Sequence, residues 1–226
     1  QTTTAQKPCA NNDIKLCVAY SGGVDSTVLL YLAKSFVEQY QQNKLAAEVD
    51  IQLSAIHVNH GISQYAAGWE SHCINTCRSL NIPINVQHIS INKRPRKSLE
   101  ADARDARYLA IDHSVEAGAL VLLAQHQDDQ AETFLLQLHR GAGIRGLASM
   151  PFEFTRTHTT KNSSRQVQYC RPLLQTSQAD IVAFATEHNL KWVEDESNMD
   201  ISFDRNFLRK SIIPELQKRY PSISAT

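Results

Sequence analysis

Nowhere in this sequence does an apolar run approach the roughly 18 residues of a membrane-spanning helix, and no charged-then-apolar leader opens it. A membrane role is not expected, and a cytoplasmic setting is. Net charge is absent too. The 23 Lys and Arg balance 23 Asp and Glu, so bulk electrostatics argue neither for nor against nucleic acid. Cysteine is sparse: Cys9, Cys17, Cys73, Cys77 and Cys170 are an odd, scattered set, which is no disulfide framework and suits a reducing compartment. Cys73 and Cys77 share a helix face, but no second Cys or His pair stands at ligand spacing. A structural zinc is therefore not expected, and both read as packing residues. Repeats and low-complexity tracts are missing as well. What is left is ordinary globular composition, 42% hydrophobic and 20% charged over 226 residues, with enough chain for one sizeable core.

What is present is alternation. The runs "IKLCVAY" (14–20), "IQLSAIHV" (51–58), "INVQHI" (84–89) and "ALVLLA" (119–124) are short, rich in Ile, Val and Leu, and bounded by polar segments, which predicts strands. Between them, 26–40, about 64–80 and 98–117 carry apolar residues at three- and four-residue spacing, and a helix over 128–140 follows the fourth strand. Such alternation implies right-handed βαβ units: an α/β protein with a parallel sheet in a three-layer, Rossmann-like α/β/α sandwich. Residues 154–170 lack periodicity and read as a long loop. Helices near 177–189 and 204–219 follow. The expectation is one catalytic domain over 1–226, with a core of about 14–150 and a helical extension of about 171–220. The ending "RYPSISAT" leaves room for further C-terminal domains.

Ligands of such sheets sit at the carboxyl ends of the strands, and the polar clusters "YSGGVDS", "HVNHG" and "AQHQDDQAE" all fall there. In the first, Gly22 and Gly23 permit positive φ and close approach of backbone to a ligand. A helix starting near Ser26 would aim its free N–H groups and positive dipole end at the bend, and the hydroxyls of Ser21 and Ser26 add donors. Together these make an anion cradle sized for phosphate. The turn has neither the Gly-Lys-Ser/Thr of a Walker loop nor a dinucleotide fingerprint. It holds an acid instead, Asp25, which makes sense if Mg2+ bridges Asp25 to polyphosphate oxygens. A turn merely capped by Ser26 would explain Ser26 but not the rest.

The loop "SGGVDS" after a first strand resembles the pyrophosphate loop of the ATP pyrophosphatases, with the adenine nucleotide alpha hydrolase fold. That resemblance implies that Ser21, Gly22, Gly23, Val24, Asp25 and Ser26 grip the β- and γ-phosphates of ATP while a substrate oxygen attacks the α-phosphate. Further motifs follow in order: "AIHVNHG" (55–61), "SLEADARDARY" (98–108), "AQHQDDQAETFLLQLHRGAGIRGL" (124–147), "RPLL" (171–174), "WVEDESN" (192–198) and "DRNFLR" (204–209). This series, over about 14–220, resembles the tRNA(Ile)-lysidine synthetases. The resemblance implies two substrates beside ATP: tRNA(Ile) with a CAU anticodon, whose wobble cytidine is adenylated at its C2 carbonyl, and free L-lysine, whose ε-amine then displaces AMP. A homodimer is an open expectation.

Adenylation builds charge on the α-phosphate, so a positioned cation lowers its barrier. Arg104 is the residue expected to do so, with Arg107 on the same helix face as the alternative; helix ion pairs with Asp102 or Asp105 are the structural reading of both. Asp129 and Glu132 stand three apart at a helix start, where acids also complement the helix dipole. By the resemblance they hold lysine, Arg205 assists, and Asp129 or His126 takes the amine proton. His57, Asn59 and His60 are read as lining the adenylate pocket, with a plain structural role for His57 equally open. Many relatives in that family have two consecutive histidines where this chain has Gln125-His126. A glutamine is no acid or base, but it can donate to a phosphate or a base. The basic segments 93–97 and 156–171 gain interest as RNA phosphate contacts.

Two other readings have discriminating features. A tRNA 2-thiolation enzyme of the same superfamily would need a reactive thiol or a cluster to carry sulfur, and no Cys-x-x-Cys occurs. A non-catalytic nucleotide-binding module would have no use for Asp25 or for the set Asp129, Glu132 and Arg205.

Overall fold

A computed structural model describes residues 13–43, 49–61, 63–90, 99–159 and 164–220. Cys9, Lys161 and the basic stretch 93–97 lie outside them. The elements run β1 (Ile14–Ala19), α1 (Val24–Asn43), β2 (Ile51–Asn59), α2 (Ala66–Ser79), β3 (Ile84–His88), α3 (Leu99–Ser114), β4 (Leu120–Leu122), α4 (Gln127–His139), α5 (Ile144–Leu147), β5 (Glu153–Thr159), β6 (Ser164–Cys170) and α6 (Gln178–Glu187). A 3₁₀ turn over Glu196–Met199 leads to α7 (Asp204–Phe207), a π turn over Leu208–Ile212 and α8 (Ile213–Arg219).

The sheet order is β3-β2-β1-β4-β6-β5, parallel throughout except for β5, which pairs antiparallel with β6. Strand side chains alternate between faces, and this sorts the layers. Leu16 and Val18 of β1 face a core completed by Val28, Leu29 and Leu30 of α1, Cys73 and Cys77 of α2, and Ile181 and Ala185 of α6. Cys17 faces the opposite core, with Tyr108 and Ile111 of α3 and Val115 just after it. The sheet is therefore covered on both sides, as the unbroken apolar strands require. Cys73 and Cys77 are packing residues, 0% exposed.

Three expectations change. The described parts of 154–170, up to Thr159 and from Ser164, form a pair of antiparallel strands, not a loop. Along β5 and β6 the inward face carries Phe154, Val167 and Tyr169 but also Arg156 and Arg165, with Thr and Gln alternating, so the period-2 signal is there but carried by few apolar residues. The sheet consequently runs past residue 150, because β6 lies inside it, beside β4. Helix α1 begins at Val24, two residues before the expected start. Finally, the last predicted helix contains a π turn. Pro214, in the first turn of α8, has no N–H to return to the preceding turn, and the helix widens there. The run Gly141–Gly146 has Gly-x-Gly-x-x-Gly spacing but joins α4 to α5, so it is no strand-to-helix phosphate loop.

Candidate active site

The carboxyl ends of β1 and β4, adjacent in the sheet, bring the glycine bend against the start of α4. The bend is tied up from within: the Ser26 hydroxyl donates to the Gly23 carbonyl at 3.0 Å, accepts from the Ser21 amide at 3.2 Å and meets the Ser21 hydroxyl at 3.0 Å. Thr27 Oγ1 also donates to Gly23 O, at 2.9 Å. Gly22 has φ +90°, and a Cβ there would stand 2.9 Å from Cys73 Sγ and 3.1 Å from Val193 Cγ2. Its carbonyl accepts from Val193 N at 2.9 Å. Gly22 is thus demanded by conformation and by packing behind the bend. Gly23 is different, since the nearest atom to a Cβ there is Ser21 Oγ at 3.6 Å; its open side faces out. Val24, the first residue of α1, is half-buried.

Asp25 reaches toward α4. Its Oδ1 is 3.8 Å from His126 Nε2 and is buried without a hydrogen-bond partner. Burial raises the Asp25 carboxyl above its usual range, partly offset by His126. His126, 1% exposed, also has Asp129 Oδ2 at 3.5 Å from Nε2. The Asp129 carboxylate caps α4 by accepting from the His126 amide at 3.2 Å. Glu132, one turn on and fully buried, is bound at both oxygens by Arg209, at 2.5 and 3.0 Å. Arg209 also donates to Asp129 at 3.2 Å. Arg205 lies 3.2 Å from Glu132 Oε2 and donates to Thr133 Oγ1 at 2.8 Å. Burial lifts the Glu132 carboxyl while Arg209 holds it down, leaving it above the usual value. Arg209 is pulled down by burial, but Glu132, Asp129 and Asp25 more than offset that.

Asp129, Glu132 and Arg205 are therefore together, with Asp25 and His126 alongside. Sequence reasoning missed Arg209, which makes more contacts with the acids than Arg205 does. Its signal was available: it follows Arg205 by four residues within "DRNFLR", hence one helical face.

The end of β2 is more architectural. His57 Nδ1 donates to the Tyr20 carbonyl at 2.9 Å and the ring is buried, which lowers its pKa. Asn59 donates to Glu70 at 2.7 Å and accepts from Gly61 N at 2.8 Å, so both ends of its amide serve the turn. His60 Nε2 lies 3.1 Å from Arg107 Nη2, joining β2 to α3. Arg104 is exposed, with its guanidinium 5.6 Å from the Tyr108 ring centroid.

Gln125 comes just before His126, and its Oε1 accepts from Arg171 Nε at 3.0 Å. Arg171 opens the "RPLL" motif and is 3% exposed. It also donates to Pro151 O at 2.5 Å and lies 4.4 Å from the Phe154 ring centroid. The sequence reading counted it with the basic segment 156–171 as a contact for RNA phosphate, whereas the structure buries it, because its burial depends on the strand pair that reading did not foresee.

The PP-loop domain family matches residues 1–216. Among curated proteins, the chain is 46% identical to a tRNA(Ile)-lysidine synthase of Nitrosomonas europaea, over 94% of this chain and 43% of that protein. It is 45% identical to one of Pseudomonas aeruginosa, over 92% and 43%. The chain thus spans under half the length of these relatives. Among solved structures, the U34-tRNA thiolase NcsA of Methanococcus maripaludis, determined with its 4Fe-4S cluster, superposes with a TM-score of 0.66 at 18% identity, covering 94% of this chain and 69% of that one. This is a likeness of fold.

Proposed function

Because the chain belongs to the PP-loop domain family, we propose that it binds ATP with the pyrophosphate end on Ser21–Ser26 and catalyses lysidine formation. In this reaction free L-lysine is ligated to C2 of the wobble cytidine of tRNA(Ile) with a CAU anticodon. Relatives carrying the synthase name support this choice of substrates. The observation that carries it is the junction of loop and acids: His126 lies 3.8 Å from Asp25 and 3.5 Å from Asp129, with buried Glu132 and two arginines adjoining. A bare nucleotide-binding module would have no need to bury that set.

In the first step the cytidine O2 attacks the α-phosphorus, and the bond to pyrophosphate breaks. Arg104 offsets the charge that grows there. In the second step the lysine ε-amine attacks C2, the C2–O bond breaks, and AMP leaves with the electron pair. The amine proton passes to the Asp129–His126 pair. Asp129 favours the cationic amines of lysine, and Glu132, fully buried with both oxygens on Arg209, adds negative charge from behind while Arg205 and Arg209 hold the two carboxylates in place.

Asp25 fits a magnesium ion, since its Oδ1 is buried and has no partner in the protein. Among the described residues no group of three or more His, Cys, Asp or Glu is arranged to hold a metal, so phosphate and water oxygens would complete the shell. Magnesium there would neutralise the departing pyrophosphate. Sulfur transfer is the weaker reading, because burial pushes the thiols of Cys17, Cys73 and Cys77 up to about 11, 12 and 12, which disfavours the thiolate. The described cysteines are unpaired and, among the described residues, no helix is long and apolar enough to cross a membrane. Both fit the cytoplasmic setting we propose.

The test is pyrophosphate release and labelled-lysine transfer with two transcripts, tRNA(Ile) with a CAU anticodon and tRNA(Met). Lysine should enter the first RNA only, and Asp25→Ala should abolish it while the chain stays folded. Pyrophosphate release indifferent to RNA and lysine would refute the assignment.

A further inference from the structure

The Gln125 amide has its orientation forced on it. A guanidinium can only donate, so the oxygen of Gln125 must be the atom facing Arg171 Nε at 3.0 Å. The Nε2 group is left on the other side, with no protein acceptor among the described residues. Gln125 follows β4, next to the glycine bend in the sheet order, and is half-buried, so this donor borders the proposed nucleotide site.

Behind it stands a positive charge with no counter-ion. Among the described residues Arg171 finds only neutral partners: Gln125 Oε1, Pro151 O, the Phe154 ring and the Tyr108 side chain. Arg156, across the same aromatic group, is by contrast paired with Asp112 at 3.0 Å. Arg104 packs on Tyr108, whose ring is 6.2 Å from that of Phe154. Burial first, and Arg104 among its neighbours, pull the Arg171 pKa down. A buried cation without an anion costs folding free energy, and an arriving anion would recover that cost.

We propose that Gln125 Nε2 and Arg104, backed by buried Arg171, form a subsite for a phosphate oxygen on the β6 side of the glycine bend. Gln125 is the group that touches the ligand, and Arg171 is a positioning residue that fixes Gln125 as a donor and supplies charge from behind. The inference rests on the function proposed above and adds to it a side-chain amide donor of fixed orientation at this end of β4. The phosphate belongs either to the nucleotide or to the RNA backbone; the chemistry is the same.

Gln125→Glu tests it. The substitution keeps the shape, gives Arg171 the carboxylate it lacks, and replaces the outward donor with an acceptor. Thermal stability should hold or rise. Binding should weaken by roughly tenfold or more, the scale of one charge-assisted hydrogen bond. Two probes are measured, a non-hydrolysable ATP analogue and an anticodon stem-loop RNA bearing CAU. Arg78→Gln, on the exposed face of α2, makes the same change in net charge and serves as the reference. Weakening confined to the ATP analogue assigns the subsite to a nucleotide phosphate, and weakening confined to the RNA assigns it to a backbone phosphate. If Gln125→Glu binds both probes as Arg78→Gln does, the subsite is refuted and the functional reading survives. If the wild-type chain binds neither probe, both fall.

Discussion

Replacing Gly22 with alanine puts two separable costs on one atom. The first is conformational: at φ +90° a Cβ meets its own backbone, for about 1–2 kcal/mol. The second is steric, because that Cβ would lie 2.9 Å from Cys73 Sγ and 3.1 Å from Val193 Cγ2. Neither neighbour can retreat easily. Cys73 is 0% exposed, and Val193 is anchored by its own N–H to Gly22 O. Overpacking of this kind costs about 1–3 kcal/mol, so Gly22→Ala should lose about 2–5 kcal/mol in urea unfolding. The double variant Gly22→Ala/Cys73→Ala separates the two contributions. Removing Sγ relieves the steric cost but not the conformational one, so the two substitutions should couple by about 1 kcal/mol or more. A loss for Gly22→Ala below about 1 kcal/mol with no coupling would refute this account of the glycine. The need for Gly22 would then come from the ligand side of the bend.

Glu132→Gln leaves two arginines around a neutral amide in a buried site, and should destabilise the chain by about 3 kcal/mol. Denaturant midpoints for Glu132→Gln, Arg209→Met and the pair measure it, with the double variant expected to be less damaged than the sum. His57 carries a pH signature. Its folded pKa is lowered by burial from 6.5, so below that pH the unfolded chain binds more protons, and stability is lost as pH falls. His57→Asn should reduce the fall in melting temperature between about pH 7 and about pH 5.5, though not remove it, because His60 and His72 are shifted in the same direction by burial. An unchanged slope would mean that His57 is not the group responsible.

The parallel half of the fold was legible because its signal is redundant. Each strand from 14 to 124 is an apolar run, each is followed by helical spacing, and each polar cluster falls at a strand end. The antiparallel pair of β5 and β6 was not. An edge pair needs few apolar residues, and its Thr and Arg positions read as loop. The glycine bend and the Asp129/Glu132 pair were readable because their spacing is local. Arg171 and Arg209 act across long sequence separations, to Gln125 and to Glu132. No periodicity announces such partners, since only the packed chain decides which arginines are drawn inward. The same applies to Asn59, whose position at a strand end suggested a ligand contact but whose amide is taken up by Glu70 and Gly61 N.

The hydrogen bond from Val193 to the Gly22 carbonyl has a sequel further along the chain. Asn206 of α7 donates to the carbonyls of Ser197 and Asp200, both at 2.8 Å, and the residues on either side of it in the helical run carry Arg205 and Arg209 to the buried acid pair. One strap of chain outside the sheet is thus fastened to the glycine bend at one end and to the carboxylates at the other. It works as a caliper. The sheet orients the glycine bend and the acid pair, but the gap between them, and so the span of the phosphate-to-amine bridge we propose, is set by this strap.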